Sequence, residues 1–233
     1  MWPFTKRPKR FTPQDDCVWY DANALRVGAA NDALRALAST PVLIITHFPA
    51  SLDQAESTLQ TIGARSTRLK GPFNVAAMCT TLNRLEPRVM ALVQSDHLKP
   101  TLTPTDEIAA RTTTTNPALT VIAWERYPLR AKDNALTAFI TELNAWLNCT
   151  LRFHAALDTP PMSMFAADTT RNILQRLGME ETECIQHPML SKSLAKAQAK
   201  VAEKANVDPK PGARSAAEWF EAWKLDRTLS GSA

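Results

Sequence analysis

This chain is poor in the residue that lets a backbone wrap a phosphate. It has six glycines in 233 residues, never clustered. A P-loop needs consecutive exposed backbone N–H groups, a lysine charge and a magnesium-binding hydroxyl, in the order Gly-x-x-x-x-Gly-Lys-Thr or Ser. No such run is present, which excludes independent nucleotide hydrolysis by that route. Cysteine is also sparse. Cys17, Cys79, Cys149 and Cys184 stand far apart with no CxxC spacing, and the four histidines are equally scattered. The expectation is four reduced, mostly buried thiols rather than a disulfide framework or a zinc site. No apolar run approaches the roughly 18 residues of a membrane-spanning helix. The opening, Met1 to Phe11, lacks the apolar stretch and cleavage site of a secretory signal. A cytoplasmic location is expected, with peripheral contact at the inner membrane as an extension of it.

What is present suits a folded domain. Hydrophobic residues make up 45% and charged residues 21%, enough for one good core with an appended helical segment. The net charge is +4. Part of it lies at Lys6, Arg7, Lys9 and Arg10, and more between Lys192 and Lys210. Such a balance permits contact with anionic lipid or nucleic acid without demanding it. Dispersed basic residues with little aromatic surface place nucleic acid last among partners. Trp2-Pro3-Phe4 followed by basic residues would suit a membrane interface.

Hydrophobic patterning divides the chain into four parts. Residues 1–20 read as a basic flexible arm. Residues 21–160 alternate helix and strand. Asp21 is suited to cap a helix with Leu25, Leu34 and Leu37 inward. Val42 to Ile45 is a continuous apolar run of the kind buried in parallel sheets. Ser51 is the expected cap of the next helix, with Leu52, Ala55, Leu59 and Ile62 at helical spacing and Gly63 as its stop. Strands are expected at 66–69, 89–93, 119–123 and 151–157, and helices at 75–85 and 133–147. Residues 99–117, rich in Thr and Pro, read as a surface excursion. The prediction is a RecA-like α/β fold, a mostly parallel sheet with helices on both faces. Residues 161–208 read as helical: Met164 to Leu177 stopped by Gly178, then Pro188 to Val201 with Leu190, Leu194, Ala197 and Gln198 on one face. Residues 209–233 form a linker and a last helix capped by Ser215. That helix carries Trp219, Phe220 and Trp223, either as a clip folded on the body or as a partner-binding knob.

Two segments carry a resemblance to a known family. In Val121 to Leu136, the residues Glu125, Arg126, Arg130, Asp133, Asn134 and Leu136 match the SecA preprotein translocase pattern of a strand, a Thr-Glu-Arg-His turn, two arginines and Asp-Asn-Gln-Leu. Trp124, Tyr127 and Ala135 depart from it. The second segment includes Leu177-Gly178-Met179, His187-Pro188 and Ala197-Gln198-Ala199-Lys200-Val201, similar to the family's run after its second nucleotide-binding domain. A weaker likeness runs from Pro41 to Gly63. The resemblance implies that second RecA-like domain followed by the start of the helical scaffold. In the family, ATP binds at a seam with a first domain that holds the P-loop. Where the family has Gly-Arg-Gly-Thr-Asp, this chain reads Gln94 to Lys99. Where it has the Gly-Arg-Ser-Gly-Arg-Gln-Gly loop, this chain reads Thr137-Ala138-Phe139-Ile140-Thr141-Glu142-Leu143. An arginine finger contributes on the order of 10³-fold or more to phosphoryl transfer, and neither threonine nor leucine replaces its guanidinium.

The quartet Glu125, Arg126, Arg130 and Asp133 is therefore the candidate anion- or nucleotide-binding site, at the carboxyl end of a central strand. Its alternative reading is a structural salt-bridge network. Ser95, Asp96 and His97 are adjacent in sequence, which argues against a catalytic triad, whose members must meet in space. The leading expectation is a non-enzymatic, SecA-like module that binds another protein, linked to export or membrane biogenesis. It needs no cofactor, and ATP or ADP affinity would be weak or partner-dependent. The alternatives are a half-site completed by a P-loop partner and a nucleic-acid-binding helicase-fold relic.

Overall fold

The computed structural model describes residues 11–99, 117–165, 180, 182–205 and 211–230. The N-terminal basic cluster, most of the Thr/Pro excursion, the Met164 to Leu177 helix beyond Phe165, and Pro209-Lys210 lie outside them. Seven strands form one sheet: β1 (Cys17–Trp19), β2 (Val42–Thr46), β3 (Ser66–Arg68), β4 (Met90–Gln94), β5 (Ala118–Ala123), β6 (Asn148–Ala156) and β7 (Ile185–Gln186). Their order is β3-β4-β2-β5-β6-β1-β7. All pairings are parallel except β1 with β7. The expected α/β architecture, a mostly parallel sheet with helices on both faces, is what is observed.

The helices are α1 (Ala22–Leu37), α2 (Pro49–Thr61), α3 (Val75–Asn83), α4 (Arg130–Leu143), the short α5 (Met162–Phe165), α6 (Pro188–Ala202) and α7 (Ala216–Ser230). Strand residues alternate between two cores, as the period of two requires. Leu43, Ile45, Val93, Val121 and Phe153 face Met78 of α3 and Phe139 and Ile140 of α4. Val42, Ile44, Leu92 and Ile122 face Ala29 and Ala33 of α1 and Leu59 of α2. The sheet is covered on both sides, which is why β2 is buried at every position.

Asp21 caps α1 as predicted, accepting from Ala24 N at 2.7 Å. The inward face of α1 differs from expectation. It is lined by Leu25, Gly28, Ala29, Ala30 and Ala33, whereas Leu34 is 41% exposed. Small residues are required there because the Trp19 ring lies flat against Gly28, and any Cβ at that position would collide with it. Helix α2 starts two residues before Ser51, with Pro49 in its first turn and Phe48 as the preceding cap residue. Ser51 is inside the helix, and its hydroxyl is used elsewhere.

The boundary of the N-terminal arm also needs correcting. Within residues 11–20, Gln14 N donates to Leu151 O at 2.8 Å, and Cys17 to Trp19 form a fully buried strand against β6. Three residues are too few for a periodicity to show. The thiol expectation fails in part as well. Cys17 and Cys184 are joined by a disulfide, 167 residues apart in sequence, while Cys79 and Cys149 are free. β7, the edge strand next to Cys184, was also not anticipated.

The C-terminal helix is a clip. Ser215 caps it as predicted, accepting from Glu218 N at 3.1 Å. Trp219, Phe220 and Trp223 are 0%, 2% and 1% exposed, packed with Phe48, Tyr127, Val201, Ala205 and Ala213. Burial of three such rings contributes on the order of 10 kcal/mol before the entropy of ordering the helix is subtracted. They are therefore structural, and the partner-binding assignment of Trp219, Phe220 and Trp223 is corrected accordingly.

Candidate functional site

Strand order reverses direction at β2: the chain leaves β2 toward β3 and β4, and leaves β5 toward β6. Ligands of open α/β sheets bind in the crevice outside the carboxyl ends of such strands. Here that crevice is built from His47 and Phe48 after β2, Ser95 after β4, and Trp124 to Tyr127 after β5.

The predicted quartet splits. Glu125 turns toward the two residues that lead into α2. One carboxylate oxygen accepts from His47 N and Phe48 N at 3.0 and 3.2 Å, and the other from Ser51 Oγ at 2.5 Å. The amide donors just before this helix, and the Ser51 hydroxyl inside it, are taken up by the protein's own carboxylate. Burial is the strongest influence on Glu125 and raises its pKa, with Ser51, the His47 charge and the two amides pulling the other way.

Arg126 turns the other way. Its Nε donates to Asp16 Oδ1 at 2.9 Å, its Nη2 contacts the same oxygen, and its Nη1 donates to Asp133 Oδ2 at 3.1 Å. The guanidinium carbon sits 3.6 Å from the centre of the Phe153 ring, a favourable cation–π geometry. Arg130 is exposed on the first turn of α4. The anion clamp expected from Arg126 and Arg130 together is thus absent: one arginine lies between two acids and the other faces solvent.

Asp133 is the hub. It accepts from Tyr127 N at 3.1 Å and from Gln198 Nε2 of α6 at 2.7 Å, besides Arg126. Gln198 Nε2 also donates to Tyr127 O at 2.7 Å. His47 Nε2 lies 2.9 Å from Asp133 Oδ1. Burial alone would raise the Asp133 pKa, but His47, Arg126 and Gln198 outweigh it and the net shift is downward.

Ser95 Oγ and His47 Nδ1 share a hydrogen bond at 2.9 Å. Asp96 instead meets Lys132 at 3.3 Å on the surface, so Ser95, Asp96 and His97 do not converge. Ser95, His47 and Asp133 do, yet the cavity at the crevice is not lined by Ser95. The cavity at the crevice, lined by Ser51, Trp124, Glu125 and Arg126 among others, has a volume of about 90 Å³. That is room for a few waters, well below the roughly 300 Å³ at which small-molecule pockets begin.

Asp16, His47 and Gln198 escaped sequence reasoning. Asp16 and Gln198 stand 110 and 65 residues from the groups they meet. The one available signal was His47, placed directly after an apolar strand.

No protein-family profile matches the chain. Similar curated proteins are those named protein translocase subunit SecA. The one from Acidithiobacillus ferrooxidans is 39% identical over 90 residues, covering 39% of this chain and 10% of that protein. That from Rickettsia akari is 48% identical over 50 residues, 22% of this chain and 6% of the other. That from Sorangium cellulosum is 34% identical over 86 residues, 37% and 8% respectively.

The chain carries a SecA-like region.

It spans about a tenth or less of the length of these relatives. Among solved structures, the C-terminal part of the Fun30 ATPase domain aligns with a TM-score of 0.38 and 12% identity, covering 79% of this chain and 53% of that one. That likeness adds nothing to the strand order described above. Among the described residues, no helix is long and apolar enough to cross a membrane.

Proposed function

We propose that the chain is a non-catalytic SecA-like module that acts by binding another protein, within a process linked to protein translocation. The observation that carries this reading is the self-occupied crevice. Glu125 fills the donors at the start of α2, and Arg126 is held between Asp16 and Asp133. Two carboxylates hold that guanidinium and a third fills the neighbouring amide donors, so an approaching triphosphate meets acid rather than free positive charge. The small cavity and the missing glycine-rich loops act in the same direction. The translocase name belongs to the relatives, and it comes to this chain through the shared region.

Surface chemistry supports binding over catalysis. Val27 and Leu34, two turns apart on α1, are 46% and 41% exposed. Leu34 also borders a groove of about 390 Å³ with Leu37, Ala38 and Ala64. The test has two arms. Calorimetry of the full chain with magnesium and ATP or ADP at millimolar concentration is expected to show no binding heat. Co-purification from the native source is expected to yield a stoichiometric partner that Leu34→Glu releases. Saturable nucleotide binding, or turnover abolished by Arg126→Ala, would overturn the proposal.

A further inference from the structure

A second polar cluster lies where β1 pairs with β6, beside the crevice network: Cys17 follows Asp16 and His154 follows Phe153. His154 of β6 is fully buried, and its Nδ1 accepts from Trp19 Nε1 at 2.9 Å. Its Nε2 has no hydrogen-bond partner, and the nearest carboxylate oxygen, Asp32 Oδ2, is 3.9 Å away. Cys17 Sγ lies 4.0 Å from the same oxygen and 3.5 Å from Gln186 Nε2. Cys17, Asp32 and His154 place their donor atoms within 4.8 Å of one another. Cys17 is fully buried, whereas its disulfide partner Cys184 is half-buried, the more accessible residue of the two.

Two thiolates, an imidazole and a carboxylate resemble a zinc donor set, but the histidine contradicts it. A metal-bound imidazole carries its proton on the nitrogen away from the ion and donates it to an acceptor. Here that nitrogen, Nδ1, faces the indole N–H of Trp19, which is itself a donor. The proton therefore resides on Nε2, which points into the cluster as a donor, not as a ligand.

We propose that Cys17–Cys184 is a thiol–disulfide exchange site whose partner is a dithiol reductant, and that its state sets how firmly α6 is held on the body. A thiolate of the reductant attacks Sγ of the less buried Cys184. The bond to Cys17 breaks, and its electron pair leaves on Cys17 Sγ. His154 Nε2–H and the Gln186 amide are the donors nearest that developing thiolate. The reductant's second thiolate then attacks its own sulfur in the mixed disulfide and releases Cys184. The protein gains two electrons and two protons, and the reductant becomes a disulfide. Reduced Cys17 has Asp32 as the acceptor for its S–H. Oxidation runs in reverse with a disulfide such as oxidised glutathione.

The coupling runs along the chain. Cys184 precedes β7, which pairs only with β1 and leads within two residues into α6. α6 supplies Ser191, whose Oγ accepts from Asp16 N at 3.0 Å, and Gln198, which bonds Asp133 and Tyr127 O. Loosening Cys184 releases the start of the helix that completes the crevice network.

The test is non-reducing peptide mapping with hydrogen exchange on the full chain, equilibrated in oxidised glutathione or in dithiothreitol. The expected result is a Cys17–Cys184 peptide in the first, and about tenfold faster exchange across 185–202 in the second, with β2, β4 and β5 unchanged. Cys184→Ser should reproduce the reduced pattern in either buffer, and Cys79→Ser should not. Full alkylation of both thiols in oxidised glutathione would overturn the proposal, as would exchange indifferent to reduction. A stoichiometric thiolate–cobalt absorption on adding Co²⁺ to the reduced protein would replace it with a metal site.

Discussion

Two histidines are buried in this protein, His47 and His154, and their surroundings are opposite. His47 lies among Ser95, Asp133 and the Glu125 carboxylate, with the nearest acid oxygen at 2.9 Å. His154 has Trp19 on one nitrogen and no hydrogen-bond partner on the other. The first is built into a network of three carboxylates, one guanidinium and a glutamine. The second is kept in a site that leaves a donor unspent. A buried polar group without a partner costs stability, so the two sites differ in what each contributes to folding and in what each can still bind.

Removing the hub of the first site should produce the largest effect. Asp133→Ala deprives Arg126, Gln198 and Tyr127 N of a common acceptor. Breaking a buried ion pair by deleting one partner costs about 3–5 kcal/mol. Urea denaturation should show that loss, and a change below 1 kcal/mol would mean the network is ornamental.

The second site should announce itself in acid. Burial lowers the His154 pKa to about 4, with Asp32 opposing and Arg152 adding to the shift. Because the unfolded chain takes up this proton near the ordinary 6.5 and the folded chain does not, stability is intact above that pH and falls as pH drops toward 4. The full loss is about 3 kcal/mol. In a series of denaturation curves across this window, His154→Gln should be flatter than the parent. Parallel curves would remove the distinction between the two histidines. The smallest effect belongs to Arg130→Ala. The side chain is exposed, so unfolding free energy should stay within about 0.5 kcal/mol of the parent.

The two sites also differ in how far sequence could reveal them. Strands β2, β4, β5 and β6 announce themselves as apolar runs, and the Glu125 to Asp133 segment is continuous. That was enough to place the crevice and name three members of its network. The rest arrives by topology. Asp16 comes from a stretch that reads as a loose arm, His47 from the strand across the crevice, and Gln198 from a helix beyond the sheet. Orientation was equally hidden: nothing in Glu125-Arg126 says that adjacent side chains will serve opposite neighbours. The second site has no linear signature at all. Cys17, Asp32, His154 and Cys184 meet only because β1 is inserted between β6 and β7, and a three-residue strand has no period to read.

The carboxylate of Glu125 also marks how small a step separates this inert shelf from a receptor. Two amides already meet one of its oxygens and a hydroxyl the other, and their geometry belongs to the backbone and Ser51 rather than to their guest. In a Glu125→Gly protein that vacated cradle would be open to sulfate or phosphate from solution, so a door now bolted from inside could be reopened by one codon.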